Sequence, residues 1–187
     1  RSVLITGGGG ALGGAIGLGL SQAGAEVIIV DINLKNATNV ASTIKSAGGV
    51  AHAFEGDLSK ESEVEELFTK IDKITSLNIL VNAISAPHYR YSPDLMPIKD
   101  WDKTLSHDLT SFFLTSRAAA QRMIKAGKGG SIINFSSIAG ATSLGRGSVA
   151  YGVAKAGIIQ LTRDCSFEWA KHGIRVNSIL PCQFENA

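Results

Sequence analysis

Two hydrophobic rhythms alternate along this chain. Short β-branched runs are separated by longer stretches whose apolar residues recur every three or four positions, the periods of buried strands and of amphipathic helices. Ser2–Thr6 reads as a strand, and the glycine cluster behind it opens a helix reaching Ala23. Glu26–Asp31 is a second strand, almost continuously apolar in the manner of strands covered on both faces. Leu34–Ala47 reads as a helix closed by Gly48-Gly49, and Val50–Phe54 as a third strand. Ser59–Ile71 is a charged amphipathic helix with Ser59 and Ser62 as candidate caps. Asn78–Asn82 is a fourth strand, followed by a loop rich in proline and aromatics from Ser85 to Pro97. Trp101–Lys125 predicts a helix in two segments, with Trp101 as a packing residue, ended by Gly127-Lys-Gly-Gly130. Ser131–Ser136 is a fifth strand, Ala150–Ala170 a helix with Trp169 packing beneath it, His172-Gly173 a stop and Ile174–Leu180 a sixth strand. Strands and helices in this order predict a parallel sheet with right-handed crossovers and helices on both faces, a doubly wound α/β domain.

Composition narrows the function classes. The chain has 187 residues, one domain on a prior of ~150 residues. Hydrophobic residues make up 44% and charged ones 18%, enough to bury a core. The net charge of +2 gives no reason to expect nucleic acid or an anionic membrane as partner. Val3–Leu20 carries no charge and follows Arg1, so a signal peptide or membrane span comes into question; eight glycines between Gly7 and Gly19 argue against both. Cys165 and Cys182 are too few for a disulfide framework or a zinc site. They read as reduced thiols of a cytoplasmic protein. His52, His88, His107 and His172 are too scattered to suggest a metal.

The candidate chemistry begins where the first strand meets the first helix. Thr6-Gly-Gly-Gly-Gly-Ala-Leu-Gly13 lets the backbone turn tightly and approach a pyrophosphate at a helix N-terminus, with Gly7, Gly10, Leu12 and Gly13 as candidate contacts. No Gly-Lys-Ser/Thr follows, which disfavours a nucleoside-triphosphatase loop. Asp31 ends the second strand 18 residues after Gly13. A carboxylate there accepts hydrogen bonds from an adenosine ribose and repels a 2′-phosphate, so the expected cofactor is NAD. Further along, Tyr151 and Lys155 lie four residues apart on one helix face. A neighbouring ammonium and a positive nicotinamide both favour the phenolate, making Tyr151 a candidate acid–base. Ser137, at the end of the fifth strand, is placed to hold a substrate oxygen beside it.

Six motifs in register resemble the short-chain dehydrogenase/reductase family: Thr6-Gly7…Gly13, Asp57-Leu58, Leu80-Val-Asn-Ala83, Asn134-Phe-Ser-Ser137, Tyr151…Lys155, and Gly173-Ile-Arg-Val-Asn177 with Pro181. The resemblance covers essentially the whole chain and implies a Rossmann fold. It implies that Asp57 contacts the adenine and Leu58 lines its pocket, that Asn82 and its adjoining backbone flank the cofactor, and that Tyr151 and Pro181 border it. Lys155 would hold the nicotinamide ribose, Ser137 would position the substrate oxygen, and Tyr151 would be the acid–base. There are departures. Ala11 and Cys182 replace family glycines, Asn82-Ala83-Ile84-Ser85 replaces Asn-Asn-Ala-Gly, and the Ser137–Tyr151 spacing is slightly longer. Asp108 stands where the family's catalytic asparagine supports a water in the proton relay. An ionised Asp108 would stabilise Lys155 and oppose the tyrosinate, whereas a protonated one would mimic the amide in part.

These readings predict one catalytic domain over residues 1–187, incomplete at both ends, since family members continue past the sixth strand through a lid, a helix and a last strand. Truncation there would expose the sixth strand as an edge. The expected activity is interconversion of a secondary alcohol and a ketone, and the glycine loop looks most like members acting on sugar acids or polyols. His88, Tyr89 and Arg90 are candidate contacts for a polar or carboxylate substrate. The alternative is a catalytically weak NAD-binding relative serving as sensor or scaffold. Resemblance also implies a homotetramer or homodimer built on the helices at Trp101–Lys125 and Ala150–Ala170.

Overall fold

The computed structural model of the protein describes residues 1–85 and 89–182. β1 (Ser2–Thr6) and β2 (Glu26–Asp31) are the apolar runs of the N-terminal half, and β1 is buried along its whole length. They are joined by β3 (Ala51–Glu55), β4 (Ile79–Asn82), β5 (Gly130–Phe135) and β6 (Ile174–Ile179) in one parallel sheet ordered β3-β2-β1-β4-β5-β6. Alternation along β1 feeds two cores. Leu4 joins Ile28, Phe68, Leu80 and Met123 on one face, while Val3 and Ile5 join Val27, Ile29 and Ile44 on the other. The chain order turns back at β1, whose Leu4 lies opposite Ile28 on one side and Leu80 on the other. Ligands of doubly wound sheets bind at this switch, beyond the carboxyl ends of the strands.

The helices are α1 (Ala11–Gln22), α2 (Leu34–Ser46), α3 (Glu61–Asp72), α4 (Ile98–Leu105), α5 (Ser111–Ala126) and α6 (Val149–Trp169). α3 begins later than its sequence suggests, with Lys60 rather than Ser59 or Ser62 before its first residue. The reason is a competing local network. Asp57 Oδ1 accepts from the Ser59 amide at 3.1 Å and its hydroxyl at 2.6 Å, while Glu63 reaches back to accept from the Asp57 amide at 2.7 Å. Ser59 is thereby spent on Asp57. The long helical stretch starts at Ile98, directly behind Pro97, and its two segments are joined by a π-helical turn, Ser106–Thr110.

Where β1, β4 and β5 end, the interior is polar. Asn82 Oδ1 accepts from Thr6 Oγ1 and Thr115 Oγ1, both at 2.9 Å. Its Nδ2 donates to Ser116 Oγ at 3.1 Å and Asn134 Oδ1 at 3.0 Å, and Asn134 Nδ2 donates to Thr162 Oγ1 at 3.0 Å. The Asn82 side chain is fully buried and its hydrogen bonds are made inside the protein. The adjoining Ala83 and Ile84 line the cleft described below, while the Asn82 side chain itself acts through the elements it joins. Replacing it strands several buried polar groups, each at a cost of about 1–3 kcal/mol. Asn82→Leu is therefore expected to lower the unfolding free energy by about 3 kcal/mol or more in urea denaturation. A loss below about 1 kcal/mol would contradict the network's role.

Candidate active site

Between β1 and α1 the backbone turns too tightly for side chains. Gly7 has φ 65°, and a Cβ on it would lie 2.7 Å from the Ala83 carbonyl oxygen. A Cβ on Gly13 would lie 2.6 Å from the Gly7 oxygen. α1 then starts at Ala11 with Gly10 at its N-cap, no side-chain cap and no acidic residue in its first turn. The amides and the positive end of the helix dipole thus face an open cleft, with no acidic side chain in the first turn of α1 to neutralise them. Gly7, Gly10, Ala11, Leu12 and Gly13 line this cavity of about 390 Å³. On the opposite wall stand Ser137, Tyr151, Lys155, Pro181 and Cys182. The donor set and the space fit the pyrophosphate of a dinucleotide.

A second cavity, of about 320 Å³, shares Gly7, Asp31, Ile84 and Ser85 with the first. Asp31 sits between them, its Oδ2 accepting from the Gly9 amide and its Oδ1 from the Asn33 amide, both at 3.0 Å. Asn33 caps α2, so turn, acid and helix form one unit. Asp57, Leu58 and the exposed Ile32 line the same cavity, giving an apolar slot with acids at its rim. Burial alone would raise the Asp57 carboxyl, but hydrogen bonds from Ser59 and Lys60 outweigh it and hold the group below its usual value.

The chemical cluster hangs from the ends of β4 and β5 and from the first turns of α6. Ser137 Oγ accepts from the Ala139 amide at 3.1 Å and is hydrogen-bonded to the Tyr151 phenol. A short turn behind Ser137 presses onto α6, and Gly140 permits that approach: a Cβ there would lie 2.6 Å from the Lys155 carbonyl carbon. Lys155 is 2% exposed. Its ammonium donates to the Phe135 and Ile84 carbonyls at 3.3 and 3.4 Å, and lies 4.9 Å from the Phe112 ring centre and 5.5 Å from that of Tyr151. Burial pushes it down to about 8, with the charge of Asp108 opposing. Asp108 is fully buried in the π-helical turn.

Tyr151 departs from expectation. Its phenol is raised above the ordinary value, by burial first and by the Asp108 charge, while the Ser137 hydrogen bond works the other way. In the protein alone burial and the Asp108 charge outweigh the influences that favour the phenolate.

The structure brings Gly7, Gly10, Leu12, Gly13, Asp31, Asp57, Leu58, Ser137, Tyr151, Lys155 and Pro181 to the walls of the two adjoining cavities, and turns Asn82 inward. Tyr89 lines the second cavity, Arg90 is exposed and lines neither, and His88 lies outside the described residues. Reading the sequence missed the Ile84 and Phe135 carbonyls that hold Lys155, and the Thr115, Ser116 and Thr162 hydroxyls around the two asparagines. For the hydroxyls a signal existed, polar residues on the core-facing stripe of their helices. For the carbonyls there is none. Among the described residues no group of His, Cys, Asp and Glu is arranged for a metal, and no helix is long and apolar enough to cross a membrane.

The glycine turn thus faces a phenol, a hydroxyl and an ammonium across one cavity. Comparison with known proteins supplies the family. The family model for short chain dehydrogenase matches residues 1–186, and the chain belongs to that family. It is an oxidoreductase of alcohol and carbonyl groups that uses a nicotinamide cofactor. A (3R)-3-hydroxyacyl-CoA dehydrogenase of Canis lupus familiaris is 34% identical over 191 residues, covering 95% of this chain and 71% of the relative. D-threitol dehydrogenase of Mycolicibacterium smegmatis is 32% identical over 183 residues, covering 97% and 69%. The crystal structure of sorbitol-6-phosphate 2-dehydrogenase from Erwinia amylovora superposes with a TM-score of 0.90 at 31% identity, over 95% of this chain and 70% of that one.

The buried lysine predicts a pH-dependent stability. Between about 8 and 10.5 the unfolded chain holds a proton that folded Lys155 has lost, so this group's contribution to stability rises with pH across that window. Below about 8 the full cost of burying the charge is present, on the order of 3–4 kcal/mol at ~1.4 kcal/mol per pKa unit. Lys155→Met is expected to melt a few degrees above the wild type at pH 7, and the gap to narrow markedly by pH 10. An equal gap at both pH values would contradict this.

Proposed function

We propose that the protein is an NAD(H)-dependent dehydrogenase interconverting a secondary alcohol and a ketone, with Tyr151 as acid–base. The observation that carries this reading is the placement of Ser137, Tyr151 and Lys155 on one wall of the cavity whose other wall is the glycine turn. When bound, the nicotinamide supplies hydride transfer and, oxidised, a positive charge that favours the phenolate. The chain's own residues do the rest. Gly10 to Gly13 present helix-terminal amides to the pyrophosphate. Asp31 accepts from the adenosine ribose and repels a 2′-phosphate, which favours NAD(H) over NADP(H).

Ser137 donates to the substrate oxygen and fixes it beside the phenol. In oxidation Tyr151 takes the hydroxyl proton as the carbonyl forms; in reduction it returns it. Lys155, held by the Ile84 and Phe135 carbonyls, keeps a positive charge next to the Tyr151 ring and stabilises its ionised form. Asp108 supports the Lys155 charge and resists ionisation of Tyr151, so the phenol is poised more as a proton donor than an asparagine at this place would leave it.

A polyol or sugar acid is the proposed substrate class. It is supported by the relatives named for threitol and sorbitol-6-phosphate, and by the hydroxyls of Ser85, Ser137 and Tyr151 around the reacting position. The test is turnover of a panel of polyols, aldonic acids and simple secondary alcohols, followed by nicotinamide absorbance. Wild type is expected to oxidise at least one, and Tyr151→Phe to lower kcat by at least 10²-fold with the cofactor still bound. Turnover retained in Tyr151→Phe would remove the phenol from the mechanism, and a wild type that binds cofactor without turnover would favour a sensor or scaffold.

A further inference from the structure

The segment after β4 is fastened twice, and both fastenings use Tyr91. Its amide donates to the Gly147 carbonyl at 2.8 Å, within an isolated parallel bridge between Tyr91 and Ser148. Its phenol donates to Asp100 Oδ2 at 3.0 Å, a carboxylate 9% exposed in the first turn of α4. The phenol is held above its ordinary value chiefly by that hydrogen bond, so it stays a donor.

The far end of this tie is the start of the catalytic helix. Ser148 is the N-cap of α6 and makes no side-chain cap bond. The helix start is therefore held by backbone contacts, and Tyr151 follows within one turn. Gly147 has φ 68°, and a Cβ on it would lie 3.0 Å from the Tyr91 carbonyl oxygen and 3.2 Å from its nitrogen. Close approach at this crossing thus requires a glycine. On the other side, the Tyr89 ring stacks on that of Tyr91 at 6.4 Å and 23°, and Tyr89 lines the cavity that holds Asp31 and Asp57.

We propose that Tyr91 is a positioning residue for Tyr151. By clamping residues 147 and 148 to the buried Asp100, it sets the height of the first turn of α6, and with it the place of the phenol relative to Ser137. This role rests on the reading of Tyr151 as acid–base. Displacement of an acid–base group by an ångström costs on the order of 10²-fold in rate, and release of one of two ties is expected to cost part of that.

The experiment compares Tyr91→Phe, Gly147→Ala, their double variant and Asp100→Asn with wild type. Each is assayed for kcat and KM on the alcohol that wild type oxidises fastest, and for NADH affinity by nicotinamide fluorescence. Tyr91→Phe and Gly147→Ala are each expected to lower kcat about tenfold with KM and NADH affinity unchanged. The double variant is expected to be no slower than the worse single, because the two bonds act in series and losing either one releases the clamp. Asp100→Asn keeps an acceptor for the phenol and is expected to retain the wild-type kcat. Unchanged kcat in Tyr91→Phe overturns the proposal even if Gly147→Ala fails to fold. So does a fall in NADH affinity that parallels the fall in kcat, since that reports general loosening. Tyr151→Phe separates the two failures. If it leaves turnover intact the acid–base reading fails and the positioning role with it; if it abolishes turnover while Tyr91→Phe is silent, only the positioning role fails.

Discussion

One buried amide lies where the parts of the active site meet. Asn82 accepts from β1 and α5 and donates to α5 and β5, and Asn134 carries the chain of hydrogen bonds on to α6. Each of those elements carries a piece of the chemistry. β1 leads into the glycine turn, β4 into the Ile84 carbonyl and β5 into Ser137. α5 brings the Phe112 ring, and α6 brings Tyr151 and Lys155. Apolar packing alone would let these elements slide by fractions of an ångström at little cost, whereas a saturated polar network in a low-dielectric interior has one arrangement that satisfies every group. The reacting geometry inherits its definition from that arrangement.

The site built on this frame holds charge in tension. Lys155 is buried deeply enough to lose much of its hold on its proton, and two carbonyls and two aromatic faces compensate only in part. Asp108 strengthens the lysine and weakens the tendency of Tyr151 to ionise. In the protein alone the phenol is therefore raised above its ordinary value. Stability is given up locally for this arrangement, as active sites commonly require.

Much of this was legible in the residues. The β-branched runs marked the strands to within a residue or two, and the glycine cluster, Asp31, Ser137, Tyr151 and Lys155 came from spacing that only a doubly wound sheet turns into proximity. What escaped was of two kinds. Ser59 is a good helix cap by type, yet the Asp57 carboxylate two residues earlier claims it, a competition that needs coordinates to resolve. The family resemblance places Asn82 and its adjoining backbone beside the cofactor, but the side-chain alternation of a strand does not tell which face holds the hydroxyls of Thr115 and Ser116 that bond its side chain. The Lys155 acceptors are main-chain carbonyls, which carry no residue code at all. The Tyr151 phenol is raised rather than lowered because burial and the Asp108 charge together outweigh the Ser137 hydrogen bond, and burial is not read from sequence distance.

The measurement that bears most directly on this account is titration of the purified protein with NADH and, separately, with NADPH, followed by nicotinamide fluorescence. The glycine turn and Asp31, locked together through the Gly9 amide, predict saturable binding with NADH clearly tighter than NADPH. Equal or tighter binding of NADPH would contradict the role given to Asp31, and binding of neither would contradict the cleft itself.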